Sequence, residues 1–173
     1  MSFKVKVKGS PFKKLENDLK KVRTAVTKAA AVKAGDAGVQ EMKKLISKGT
    51  SPIEGGSFPA YRGKYREDIK KGRYKGKSLS PVNLKLSGKF LKSLKSLAPD
   101  VVKGGSYQPR IGLDKRVDRK AGDKETGHRE GANKQAIRPN IPQDGEDLKQ
   151  GVLRKIADYL TDVVDKYVKR NLR

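Results

Sequence analysis

Apolar residues recur along this chain with two different periods, and the switches between them divide it into elements. Phe3, Val5 and Val7 alternate with Lys4, Lys6 and Lys8, the period of two that marks a half-buried strand. Gly9-Ser10-Pro11 breaks it, with Ser10 placed as an N-cap and Pro11 at a first helical position. From there Phe12, Leu15, Leu19, Val22, Val26 and Ala29 step by three and four, and Met42, Leu45 and Ile46 resume the stripe before Gly49. This predicts one long helix over 11–48. Gly35 and Gly38 weaken its middle by about 1 kcal/mol each relative to alanine, leaving room for a kink near 35–38.

Residues 49–81 lose the periodicity. Six glycines and three prolines, among them Gly49, Gly55, Gly56, Pro52 and Pro59, predict a long loop. Order returns at Leu84–Leu91, where Ser87 is placed to cap a short helix and Leu86 and Leu91 to staple it. Phe90, Leu91, Leu94 and Leu97 form its apolar face, and Pro99 stops it. Val101-Val102 and Tyr107–Leu113 read as two strands around Gly104-Gly105. The polar stretch 114–135 reads as loop with at most one irregular helical turn, and Ala136–Arg138 as a last short strand. Leu148, Val152, Ile156, Tyr159, Leu160, Val163, Val164 and Tyr167 then trace a helix over 145–171, capped by Asp144. The predicted fold class is α+β, a single domain over 1–173: a small antiparallel sheet flanked by a long N-terminal and a long C-terminal helix, with an extended basic loop.

Charge sharpens this outline. Lys and Arg number 42 against 19 Asp and Glu, a formal net charge of +23. Each third of the chain is cationic, so the excess decorates folded faces instead of forming a tail. It peaks between Tyr61 and Lys77, where Arg62, Lys64, Arg66, Lys70, Lys71, Arg73, Lys75 and Lys77 face only Glu67 and Asp68. These eight are the candidate contacts to DNA phosphates or to an acidic protein partner, with Tyr61, Tyr65 and Tyr74 interleaved for stacking or packing.

Other chemistry is thin. There is no cysteine and a single histidine, so thiolate and multi-histidine metal sites fall away. No apolar run reaches bilayer length, and the N-terminus lacks the apolar stretch of a signal peptide. His128, near Glu125 and Glu130, reads as an exposed loop histidine. Asp158, Asp162 and Asp165 share a helix face but stand among Lys155, Lys166 and Lys169, which makes a solvated, salt-bridged surface. No glycine-rich phosphate cradle is present. The expectation is a protein without catalytic residues, cofactor or metal.

Three stretches carry a resemblance. They are Ser51–Tyr61 with Tyr65; Pro81–Gly88 leading into Leu91, Ser93 and Leu94; and Gly127-His128-Arg129-Glu130-Gly131 followed by Ile137–Pro142 and the final helix. In that order they resemble the tail-completion and virion-morphogenesis proteins of tailed bacteriophages, which act at the neck where head meets tail. The likeness spans roughly residues 50–170; Asn140 after Pro139 and the very basic 61–77 segment depart from the commoner pattern. It implies a non-enzymatic virion protein assembled in the host cytoplasm as a sixfold or twelvefold ring. Its partners would be head-connector and tail-tube or terminator proteins, with non-specific contact to genomic DNA and no membrane. Tail completion, tail termination and a connector role all stay open. The charge by itself supports an alternative, a nucleic-acid-binding protein without sequence preference.

Overall fold

In the computed structural model the later part of the long apolar stripe, through Met42, Leu45 and Ile46, becomes helix α1, Lys28–Ser47. The residues described are 17–18, 20–22, 24–53, 56–83, 88–102, 105–130, 138, 141 and 147–171. The predicted strand at Phe3–Val7, the caps at Ser10, Ser87 and Asp144, and positions 136–137 lie outside them. The helix expected over 11–48 is interrupted: helical backbone at 20–22 gives way to a turn and bend at 24–26 before α1 starts. Thr27 supplies the reason. Its backbone is extended and its Oγ1 accepts from the Ala30 N–H at 3.2 Å, an N-cap that starts a new helix.

Gly35 and Gly38 do not kink α1; both are buried within a continuous helix. They sit where other elements come closest. A Cβ on Gly35 would lie 2.2 Å from Ser96 Oγ, and one on Gly38 would lie 2.8 Å from Ile156 Cδ1. The helix ends as its sequence predicts. Gly49 adopts φ 74°, its N–H donates to Ile46 O at 3.0 Å, and Thr50 N–H reaches back to Leu45 O at 3.0 Å.

The stretch expected as loop contains helix α2, Gly63–Lys70, and supplies much of the interior. Phe58, Tyr61, Ile69 and Val82 are buried in one cluster with Val39, Met42 and Ile46 of α1, with Leu94, and with Val152. The glycines and prolines here shape turns around apolar anchors, so the segment belongs to the core.

Helix α3, Lys89–Ser93, is shorter than expected, because Leu94–Ser96 leaves it as strand β1. Strands β2 (Asp100–Val101) and β3 (Tyr107–Gln108) form the expected hairpin, while β4 (Ile111–Leu113) turns to pair with β1. Both ladders are antiparallel, with Leu94 opposite Leu113 and Val101 opposite Tyr107. Residues 121–130, expected as loop, form helix α4 (Ala121–Glu130). Helix α5, Gln150–Asn171, closes the chain and packs along α1. Its start is tied to the 49–53 segment by Leu148 bridging Ile53 and by Lys149 N–H donating to Pro52 O at 2.9 Å. The chain is therefore α+β, two long helices with small antiparallel pairing against them. No described helix is long and apolar enough to cross a membrane.

Candidate binding surface

Helix α2 orients most of the predicted contact residues. Tyr65 and Ile69, four apart, turn one side of it toward the core. At about 100° per residue, Arg62, Arg66 and Lys70 then share one flank, spaced by ~6 Å along the axis, and Lys64 and Lys71 share the other. All five are exposed. Glu67 pairs with Lys70 at 3.1 Å on the surface, an ion pair that contributes little. Arg73 is exposed but engaged: its Nη1 meets the buried Asp68 carboxylate at 2.9 Å, and its N–H donates to Asp68 O at 3.0 Å, closing the turn after α2. Lys75 is exposed.

Lys77 differs from the other seven. It is half-buried, with its Nζ donating to the Tyr61 hydroxyl at 3.2 Å and standing 5.3 Å from the centroid of the Tyr61 ring. Tyr61 itself is buried, and its hydroxyl donates to Asn83 O. Tyr61, Tyr65 and Tyr74 pack in a chain, with ring centroids 5.3 and 4.8 Å apart. Of the two readings of these tyrosines, packing describes them; a buried Tyr61 offers no face to a base.

Over the same ring lies Arg138. It is 2% exposed, its guanidinium carbon is 4.5 Å from the Tyr61 centroid, and its Nε and Nη2 donate to Pro59 O at 3.1 and 2.9 Å. Nη2 also reaches Ala60 O at 3.1 Å, and the Arg138 N–H donates to His128 O at 2.6 Å. Arg138 thus joins the 59–61 segment, through its side chain, to α4, through its backbone N–H. In the sequence Arg138 is part of an arginine–proline segment, without any sign that it is buried.

His128 is not a loop residue. It lies in α4 with Ala121 and Glu125, three polar or small residues on one face, and its ring centroid is 5.6 Å from that of Phe90. Glu125 is buried and its Oε1 accepts from the Ile141 N–H at 3.1 Å. Asp118 holds the helix start by accepting from Lys120 N–H at 3.2 Å and pairing with Lys124.

The electrostatics of this cluster follow from burial. Burial pushes the Tyr61 phenol up to about 12, assisted by Tyr65 and opposed by Arg138. Burial first, and the Arg138 charge second, push the Lys77 ammonium down to about 8. Burial also pushes His128 down to about 4, helped by the charges of Lys77, Arg138 and Lys124, so it is neutral at pH 7. Arg138 is itself lowered by burial, an effect that the two tyrosines oppose.

Residues from the three motif stretches meet here: Pro59, Ala60 and Tyr61 from the first, Asn83 and the following Phe90 from the second, His128 and Arg138 from the third. On the outer side of this knot lie the α2 cations. Elsewhere Asp162 is taken by Lys166 at 2.6 Å, and among the described residues no three acidic or histidine side chains gather as a metal site. Against protein-family models, curated proteins and solved structures, the chain has no significant match.

Proposed function

We propose that this chain is a non-enzymatic structural protein of a tailed bacteriophage virion, a tail-completion or neck component that joins head to tail as an oligomeric ring around the DNA channel. The observation that carries the reading is the order of the three motif stretches, whose residues are brought together around Tyr61 and Arg138. A sequence likeness in separate pieces is more meaningful when those pieces build one structural unit.

The surface is compatible with such a role. A channel that passes DNA needs exposed, non-specific cations that compensate phosphate charge without gripping bases. Arg62, Lys64, Arg66, Lys70, Lys71 and Lys75 present themselves in this way. The same cations serve equally for acidic patches on head-connector or tail-tube neighbours. In a virus lacking this product, particle imaging should find heads and tails unjoined. Fully joined, infectious particles without it would sink the proposal.

The exposed α2 cations also favour a second reading, a nucleic-acid-binding protein without sequence preference. It requires the isolated chain to bind duplex DNA or RNA, with log affinity falling by ~0.9 per phosphate contact for each unit of log salt. Negligible binding at low salt would remove this reading and leave the neck reading intact through protein contacts.

A further inference from the structure

The cluster around Tyr61 contains a group that the neck reading does not use. We infer that Lys77 is a selective acylation site, a nucleophilic lysine that takes its acyl group from small anionic donors of the acyl-phosphate class. The inference is independent of the proposed function.

Three features set Lys77 apart. Its side chain is half-buried on an aromatic surface, while Lys64, Lys70, Lys71 and Lys75 are exposed. Its hydrogen-bond partner is a neutral phenol: the Tyr61 hydroxyl spends its own proton on Asn83 O and offers Lys77 only a lone pair. And the guanidinium of Arg138 lies over the same ring that Lys77 approaches. Desolvation together with a neighbouring cation is the arrangement that raises the share of unprotonated, reactive lysine amine near neutral pH. The depressed Lys77 ammonium agrees with it.

The geometry also suits the reaction. An amine that keeps one N–H on the Tyr61 oxygen turns its lone pair away from that oxygen. The lone pair attacks the carbonyl carbon of the acyl phosphate. A C–N bond forms, the C–O bond to phosphate breaks, phosphate leaves with the electron pair, and the Nζ proton passes to solvent. The cationic surroundings favour a donor whose leaving group is anionic. The product amide is neutral, so acylation removes the charge that Lys77 opposes to Arg138.

A lysine titrating near 8 is ~200-fold richer in free amine at pH 7.5 than one titrating near 10.5. A Brønsted slope like that of thiols, ~0.5, takes back roughly twentyfold of this through lower intrinsic nucleophilicity. A net preference of about tenfold remains. The test treats the intact protein with acetyl phosphate for short times at pH 6.5 to 9.5 and measures acetylation at each lysine by peptide mass spectrometry. Lys77 should lead Lys64 and Lys75 by about tenfold at pH 7.5, and its rate should level off above pH 8 while theirs keep rising with pH. Lys77→Arg should remove that signal and leave the rest of the pattern unchanged. A Lys77 rate no greater than those of exposed lysines, or one that climbs tenfold per pH unit through 9.5, overturns the assignment.

Discussion

A guanidinium that leaves water needs fixed acceptors in its place, and at Arg138 the carbonyls of Pro59 and Ala60 provide them. Arg138→Met keeps much of the volume but removes the cation over the Tyr61 ring and leaves both carbonyls without that donor. It should lower unfolding stability by ~3 kcal/mol, read as a shift in urea midpoint at unchanged slope. Arg138→Lys should rescue little of this, because an ammonium is a point charge without the planar fork that spans two acceptors. His128 makes a second prediction. Its folded value of about 4 lies below the unfolded value of 6.5, so the unfolded chain binds the extra proton in between. The native state is therefore little disturbed above pH 6.5 and loses ~3 kcal/mol as pH falls from 6.5 to 4. His128→Gln should flatten the thermal midpoint across that window; an unchanged acid slope would show that His128 is protonated in the fold. These roles were hidden in the sequence, because a buried arginine and a face built of alanine, glutamate and histidine carry no hydrophobic periodicity.

At the scale of elements, the long amphipathic stripes were legible and the short elements were not. Helix α5 follows its stripe from Val152 onward. Helix α2 leaves no periodic mark in the sequence because it has eight residues, begins on glycine and commits only Tyr65 and Ile69 to the core. Leu94 fits a helical stripe and a strand equally well, and its pairing with Leu113, nineteen residues on, decided the matter. In the sequence the glycines of α1 show only their cost in a helix, whereas their use lies in close packing. Gly35→Ala places a methyl 2.2 Å from Ser96 Oγ. Overpacking should outweigh the gain in helix propensity and destabilise by about 1 kcal/mol net. Ser96 Oγ is buried without a hydrogen-bond partner among the described residues, so Ser96→Ala should raise the thermal midpoint on its own and relieve part of the Gly35→Ala penalty.

Taken as a whole molecule, a net charge of +23 surrounds an interior that depends on the 58–82 segment as much as on the long helices. The charge and the core are therefore not separate regions: α2 turns Ile69 inward and its cations outward. Neutralising Arg62, Lys64, Arg66, Lys70 and Lys71 together should leave the helical signal nearly unchanged, since all five side chains are exposed. If they meet phosphate, every cation removed from a phosphate should reduce the salt slope of DNA binding by ~0.9. The proposed place of action is open to imaging of the head–tail junction of the intact particle, at a resolution that traces the chain. A ring of this protein should stand at that junction, with α2 directed at the DNA channel or at an acidic neighbour. A junction fully built from other chains, with none of this one, would contradict that placement.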